Sequence, residues 1–175
     1  NNIKYYTHLK HWEPQVLYPP VLRRQKALSY LENSELVETN FIKRTAYRAG
    51  ANTETERKKT TDEYYDNLMH SDYIVCIRGG GNFSTRFYET MMMGRIPLFI
   101  NTDSILPFDN IIDWKKHTVW VEEKDMKYMP QILADFHSQI HPDDFKQMQL
   151  DNRQIWVNHL SNYGIFDTIA TMVMA

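Results

Sequence analysis

The stretch of the sequence with the clearest potential for chemistry is Ile77–Glu89, which reads IRGGGNFSTRFYE. It holds three of the six glycines in a row and leads into a helix-like segment with Arg86 near its start. Glycines after a strand let a ligand approach the backbone, and the following helix offers unpaired N–H groups and a positive dipole end. A cation is disfavoured at that end by about 0.3–1 kcal/mol. A bound diphosphate would remove this penalty and accept a bidentate contact from the guanidinium.

Glu89 lies one helical turn beyond Arg86, and its side chain leans back toward the same helix end. There it could accept hydrogen bonds from the hydroxyl groups of a sugar. The alternative is a surface ion pair between Arg86 and Glu89, worth about 0.2–0.5 kcal/mol at this spacing. Two phosphate motifs are excluded, because the P-loop lysine is missing and no third glycine stands at the dinucleotide-binding spacing. The residues alone therefore leave a ligand site and a tight turn with a solvated arginine both open.

Metal chemistry has little support in the sequence. No Asp-x-Asp pair occurs, so the usual carboxylates for a nucleotide-bound divalent cation are missing. His137 and His141 have a spacing that could clamp zinc on a helix, but Pro142 follows at once and no third ligand is evident. We therefore favour a solvated histidine pair and expect no metal. Cys76 lies within an apolar run and is expected to be a small core residue.

The segment after the run Ile96–Ile100 holds two further candidates. Loops beyond the carboxyl ends of parallel strands are where α/β proteins bind ligands. Asp103 and Asp109 could hydrogen-bond a sugar there, although capping a turn is an alternative explanation for each.

The elements that must position these residues follow from apolar periodicity. Continuous apolar runs of strand length fit strands buried on both faces of a parallel sheet. The glycines and a helix from Ser84 to Gly94 connect two such runs, which makes a βαβ unit. We predict one α/β domain that ends in helices. The predicted strands are 36–42, 73–77, 96–100 and 118–121. One further helix is predicted to begin at Pro20, and others are predicted over 61–69, 126–139 and 142–160. The segment 43–60 is predicted as a polar loop.

Composition narrows the class of protein. The chain has 175 residues, 42% hydrophobic and 24% charged, which is ordinary for a globular domain. A net charge of −2 gives no reason to expect a nucleic acid or an anionic membrane as a partner. No apolar run approaches the roughly 20 residues of a membrane span. The single cysteine fits a reducing compartment, and the start at Asn1 suggests a processed product or a piece of a longer chain.

Five linked pieces of the sequence resemble the exostosin family of glycosyltransferases. They are a strand ending in Arg78-Gly79, a Ser-x-Arg-Phe-x-Glu helix start, a Gly-x-Ile-Pro-Leu piece, Leu-Pro-Phe and Ile-Asp-Trp. They follow one another in the family's order from Ser71 to Trp114, and Asn152, Arg153 and Trp156 are also similar.

The resemblance implies the C-terminal, nucleotide-sugar-binding half of a GT-B enzyme, with a Rossmann-like parallel sheet flanked by helices. Residues 20–163 would form this domain, 1–19 an irregular arm or the remnant of a preceding element, and 164–175 a tail. The resemblance also implies the donor-binding residues. Arg78, Gly79 and Gly80 would border the nucleotide. Ser84, Thr85 and Arg86 would hold the diphosphate, and Glu89 would bind the ribose hydroxyls.

The implied activity is transfer of a sugar, with inversion and without a metal, from a UDP-sugar donor to a saccharide acceptor. The catalytic base is expected in an N-terminal domain that these residues do not include, because no histidine or carboxylate matches a family base. His117 is the nearest candidate, and its polar surroundings predict that it is exposed. The opening of the domain departs from the family, since no glycine precedes the first helix. The alternative function is a non-catalytic module that binds a nucleotide sugar or phosphate.

The sequon Asn82-Phe83-Ser84 lies within the predicted phosphate turn. A glycan there would block the site, which disfavours an N-glycosylating compartment. We therefore expect a cytoplasmic enzyme, with the Golgi lumen of eukaryotic family members as the alternative.

Overall fold

Three of the four segments predicted as strands form a parallel sheet. The computed structural model describes residues 4–5, 15–16 and 18–174. Two short strands near the amino end pair with each other in antiparallel fashion, and three later strands form the parallel sheet in the order β3-β4-β5. The strands are β1 (Lys4–Tyr5), β2 (Gln15–Val16), β3 (Tyr73–Cys76), β4 (Ile96–Asn101) and β5 (Val119–Glu122), and the helices are α1 (Pro20–Glu32), α2 (Glu54–Met69), α3 (Thr85–Met92), α4 (Met129–Gln139), α5 (Pro142–Ile155) and α6 (Asn162–Met174).

Helices cover both faces of the parallel sheet. Alternate residues of β3 point to opposite sides, so Val75 joins one core cluster while Ile74 and Cys76 join the other. Helices α1, α4 and α5 pack on the first side, and α2 and α3 pack on the second. This arrangement explains why β3 and β4 are continuous apolar runs rather than alternating ones. It confirms the predicted α/β class, a Rossmann-like parallel sheet flanked by helices.

The βαβ unit β3–α3–β4 brings the glycine-rich segment to the carboxyl edge of the sheet. The register pairs Tyr73 with Ile96 and Cys76 with Phe99. Gly94 follows α3 in the left-handed region, at φ 61°. A Cβ there would lie 3.2 Å from the Gln149 carbonyl oxygen of α5. A glycine is therefore required both by the helix ending and by the close approach of α5.

Two predictions on the segment between α1 and β3 are wrong. Residues 36–42 form no strand: Leu36 and Ile42 are exposed, while Val37 and Phe41 only lie against the first core cluster. The polar segment 43–60 is partly helical, since α2 begins at Glu54 and not near Thr61. Thr53 and Glu56 form a capping box that starts α2, because each side chain pairs with the other residue's backbone N–H.

The carboxyl-terminal part of the described chain is helical, as predicted. A 3₁₀ segment, Glu123–Tyr128, leads into α4, so the regular helix starts three residues later than predicted. Helix α5 continues into a short π-helical segment, Trp156–Leu160, and the residues expected to form a tail belong to α6. None of the described helices is long and apolar enough to cross a membrane.

Candidate functional site

A pocket of about 240 Å³ lies beyond the carboxyl end of β3, where the chain turns into α3. We call Arg78–Ser84 the glycine turn. The pocket is walled by this turn, the first residues of α3 and one residue each from α1 and α2. The residues lining it are Arg24, Tyr64, Gly79, Gly80, Gly81, Phe83, Ser84, Thr85, Arg86 and Glu89.

The fold itself does not require glycine at positions 79 and 80. Neither residue has a positive φ, and a Cβ built on either would meet no atom within 4 Å. A Cβ on Gly81, in contrast, would lie 2.7 Å from the Phe83 ring. The open space in front of Gly79 and Gly80 is the pocket. A bare backbone there leaves room for a ligand to approach its peptide groups.

The start of α3 presents unpaired donors to the pocket. Ser84 is the N-cap residue, but its hydroxyl makes no capping bond. The Phe87 N–H bonds to the Ser84 carbonyl, whereas no acceptor among the described residues pairs with the N–H groups of Thr85 and Arg86. These groups and the positive end of the helix dipole favour an anion.

Arg86 and Glu89 meet at a third residue instead of pairing directly. The Tyr64 hydroxyl donates to Glu89 Oε2 at 2.5 Å and accepts from Arg86 Nε at 3.4 Å. The Arg86 guanidinium lies 5.5 Å from the centre of the Tyr64 ring. No ion pair joins Arg86 to Glu89 in the part of the chain that is described. Burial, and then the hydrogen bond to Glu89, raise the pKa of Tyr64 to about 12, so its hydroxyl remains a donor at neutral pH.

Arg24 adds a second cation to the pocket. Its pKa is lowered, first by burial of the guanidinium and then by the positive charge of Arg86. The residue as a whole is exposed, and it lines the pocket. No described carboxylate forms an ion pair with Arg24 or Arg86. Two guanidinium groups that repel each other across a pocket at a helix start fit a multiply charged anion.

Arg78 lies beside this pocket and not in its lining. Its guanidinium stacks on the Tyr18 ring, 4.3 Å from the ring centre, and its buried Nε has no hydrogen-bond partner among the described residues. Burial, and then the charge of Glu123, raise the pKa of Tyr18 to about 12. Arg78 therefore braces the first residue of the glycine turn against the segment before α1.

The two aspartates predicted as sugar contacts do not line the pocket. Asp103 and Asp109 both lie on the loop after β4, and both are exposed. Asp103 has a left-handed backbone, φ 56°, which aspartate tolerates better than most residues. Its carbonyl accepts a hydrogen bond from the Asn82 side chain, which joins this loop to the glycine turn.

The remaining titratable candidates lie elsewhere. His117 is half-buried, not exposed as predicted, because its Nδ1 lies 3.2 Å from Oδ1 of the buried Asn152. It precedes the amino end of β5, at the opposite edge of the sheet from the glycine turn.

His137 and His141 contact different residues. His137 Nδ1 lies 2.9 Å from the Tyr73 hydroxyl, and His141 caps α5. No group of three or more histidine, cysteine or acidic side chains that could hold a metal occurs among the described residues. Cys76 is buried in the core, as predicted.

Sequence reasoning missed two pocket residues, Arg24 and Tyr64. Both belong to helices that precede the glycine turn by many residues, so no local spacing links them to it. The available signal for Arg24 was the basic pair Arg23-Arg24. This pair lies on the helix predicted to begin at Pro20, which leads toward a predicted strand. Tyr64 lies in the segment 61–69 that was predicted as a helix, and in the structure it lines the pocket.

The sequence matches a known protein family. A model of the Exostosin GT47 domain matches residues 22–136, which include every residue of the pocket. "Probable glucuronosyltransferase 47 A" of Physcomitrium patens is 37% identical over 71 residues, which are 41% of this chain and 16% of that protein. "Probable beta-1,4-xylosyltransferase IRX10L" of Arabidopsis thaliana is 35% identical over 71 residues, 41% of this chain and 17% of that protein. A probable glucuronosyltransferase of Oryza sativa subsp. japonica is 36% identical, with the same coverage as the Arabidopsis protein. The match thus spans about a sixth of the length of these relatives.

Proposed function

Because the chain belongs to the Exostosin GT47 domain family, we propose that it supplies the donor-binding half of a GT-B glycosyltransferase. The donor is a nucleoside-diphosphate sugar, a UDP-sugar by the family resemblance, and the acceptor is a saccharide. The observation that carries the proposal is that Arg24 and Arg86 both line the pocket at the open start of α3, and that neither forms an ion pair with a described carboxylate. A diphosphate supplies the negative charge that these two guanidinium groups have no described carboxylate to provide.

The pocket offers a distinct contact for each part of such a donor. The N–H groups at the start of α3 and the Ser84 hydroxyl can hydrogen-bond the phosphate oxygens, with Arg86 and Arg24 as charged donors. Glu89 can accept hydrogen bonds from ribose hydroxyls, for which it would exchange its contact with Tyr64. Gly79 and Gly80 leave the approach to the backbone free.

The reaction is a displacement at the anomeric carbon. The acceptor oxygen attacks that carbon, the bond from the carbon to the diphosphate oxygen breaks, and the configuration inverts. The acceptor proton passes to a base, and the leaving diphosphate gains negative charge. Arg24, Arg86 and the α3 dipole can stabilise that charge where a divalent cation does so in other enzymes, so we propose that no metal is needed.

The base is proposed to lie on an N-terminal domain across the cleft. Among the described residues, Glu89 is the one carboxylate in the pocket lining, and the Tyr64 hydroxyl donates a hydrogen bond to one of its oxygens. A cytoplasmic location is part of the same proposal, since the sequon asparagine lies in the glycine turn. The sugars named for the relatives make xylose and glucuronic acid the first donors to test.

Calorimetric titration with UDP tests the proposal, with Arg86→Ala as the negative control. We expect binding by the wild-type chain that the variant weakens about tenfold or more, the effect of losing a charge-assisted contact. Titration of the same chain with UDP-xylose and UDP-glucuronate, followed by mass spectrometry with oligosaccharide acceptors, separates donor binding from transfer. Donor binding without product fits a donor-binding half. The absence of any UDP binding would contradict the proposal.

A further inference from the structure

The glycine turn has few contacts of its own that could hold its shape. Three successive glycines lose more conformational freedom on ordering than other residues do. The one backbone hydrogen bond recorded within the turn runs from the Gly79 N–H to the Phe83 carbonyl, 3.1 Å away. Phe83 is 55% exposed, so its ring does not anchor the turn in the core. The conformation of the turn must depend on an attachment to a more rigid part of the fold.

The Asn82 side chain provides such an attachment. Its Nδ2 donates to the Asp103 carbonyl at 3.0 Å. Its Oδ1 lies 3.1 Å from the Thr102 hydroxyl and 3.3 Å from the Ser104 hydroxyl. The two hydroxyls are 3.1 Å from each other. One amide group therefore uses both of its ends on three successive residues of the neighbouring loop.

The partners of Asn82 are fixed to the sheet. Thr102 follows the last residue of β4 and is 7% exposed. Asp103, whose carbonyl accepts the hydrogen bond from Asn82, has a left-handed backbone that turns the chain. Asn82 itself is exposed. Its bonds thus join an exposed turn to the carboxyl end of a buried strand, and they contribute little to the burial of apolar surface.

We propose that Asn82 is a positioning residue for the donor diphosphate. Its amide holds the glycine turn against the loop after β4, which fixes where Gly79, Gly80 and the start of α3 meet the ligand. This inference rests on the proposed function for the identity of the ligand, but the attachment itself is a property of the free protein. The sequon then has a structural meaning: the nitrogen to which a glycan would be joined donates to Asp103.

The test compares Asn82→Ala with Asn110→Ala, an exposed asparagine with no recorded side-chain hydrogen bond. Three measurements are made on each variant: the melting temperature, the Kd for UDP, and hydrogen–deuterium exchange of the free protein over 78–84. We expect Asn82→Ala to melt near the wild type, to bind UDP about tenfold more weakly because it lacks the three hydrogen bonds that hold the turn, and to exchange faster within 78–84 only. Asn110→Ala should match the wild type in all three.

Thr102→Val and Thr102→Ser provide a second, independent arm. Valine removes one hydroxyl partner of Asn82 and keeps the shape, whereas serine keeps the hydroxyl. The loss of UDP affinity in Asn82→Ala/Thr102→Val should be smaller than the product of the single losses, because the two substitutions break one shared attachment. Thr102→Ser should restore binding.

The outcomes separate this inference from the proposed function. Exchange in 78–84 that is unchanged by Asn82→Ala would overturn the inference, whatever the UDP affinity. A melting temperature that falls together with the UDP affinity would also overturn the inference, since Asn82 would then stabilise the fold as a whole. If the wild type fails to bind UDP while Asn82→Ala accelerates exchange, the proposed ligand is wrong and the attachment stands.

Discussion

The Tyr64 hydroxyl donates to Glu89 Oε2 at 2.5 Å, and this contact joins helix α2 to helix α3 at the wall of the pocket. The same hydroxyl accepts from Arg86. The two charged residues predicted from the sequence as a possible surface pair are thus held apart by a tyrosine from a different helix. Glu89 is oriented toward the pocket, and its charge is not consumed in an ion pair with Arg86.

Glu89→Gln should discriminate between ligands. If the carboxylate accepts from ribose hydroxyls, its loss weakens UDP binding by about 1.5–3 kcal/mol, the range for hydrogen bonds to a charged group. Inorganic pyrophosphate has no ribose, so its affinity should hardly change. Calorimetric titration with both ligands measures the difference. Equal losses for UDP and pyrophosphate would show that Glu89 acts by positioning Tyr64 and Arg86.

Tyr64→Phe should change the response of stability to alkaline pH. Because the pKa of Tyr64 is raised from 10.0 to about 12, its stabilising effect is fully present below pH 10 and is lost as the pH rises toward 12. The phenylalanine variant has no such ionisation, so the difference in melting temperature between wild type and variant should narrow across that interval. Thermal unfolding at pH 8, 10 and 11 measures it. A gap that stays constant with pH would show that the hydroxyl does not carry the effect.

Arg24→Gln should weaken UDP binding without destabilising the fold. Arg24 lines the pocket together with Arg86, and burial, followed by the positive charge of Arg86, lowers the pKa of Arg24. Its removal should leave the melting temperature of the free protein unchanged or slightly raised, and should raise the Kd for UDP about tenfold or more. The matched control is Arg23→Gln, the neighbouring residue on α1, which pairs with Glu123 at 3.5 Å. Comparable losses of affinity in both variants would point to a general effect of positive charge on α1.

Gly80→Ala should harm binding and spare stability, while Gly94→Ala should do the reverse. An added methyl group at Gly80 meets no protein atom but projects into the space for the ligand. At Gly94 the φ of 61° and the Gln149 carbonyl oxygen 3.2 Å from the added Cβ both oppose it, with a cost of about 1–2 kcal/mol. Melting temperatures and UDP titrations of the two variants give the crossed pattern. A stable Gly80→Ala protein that binds UDP as tightly as the wild type would show that the ligand does not approach Gly80.

UDP binding should not depend on a divalent cation. We propose that the diphosphate charge is neutralised by Arg24, Arg86 and the start of α3, which all border the pocket. No group of three or more histidine, cysteine or acidic side chains that could hold a metal occurs among the described residues. Calorimetry in EDTA and in magnesium should therefore give the same Kd within about twofold, a difference of about 0.4 kcal/mol. A tenfold loss of affinity in EDTA would contradict the metal-free proposal.

Several parts of the fold were predictable from the sequence because their signals are local. The runs of β3 and β4 are apolar without interruption, which is the pattern of strands covered on both faces, and the glycines between them mark the turn into α3. The end of α3 was predictable from Gly94, whose backbone adopts the left-handed conformation. The capping box at Thr53 and Glu56 was an equally local signal for the start of α2, but it was overlooked in a segment of low apolar content.

The errors fall where tertiary packing overrides local pattern. The segment 36–42 has the composition of a strand, yet only Val37 and Phe41 lie against the core, and the segment pairs with none of the described strands. His117 stands between polar residues, and its burial comes from Asn152, which is 0% exposed and belongs to α5. In both cases the deciding contact is made by a residue distant in sequence.

The sequence by itself determined the chemistry available at the carboxyl end of β3: a bare backbone, a helix start, an arginine and a carboxylate at fixed spacing. Only the tertiary structure decided that Arg24 and Tyr64 complete the pocket, that Asn82 ties the glycine turn to Thr102 and its neighbours, and that Asp103 and Asp109 stay outside. The physical reason is that spacing along one helix sets which side chains share its face, whereas the packing of α1 and α2 against opposite faces of the sheet sets which distant side chains reach the same edge.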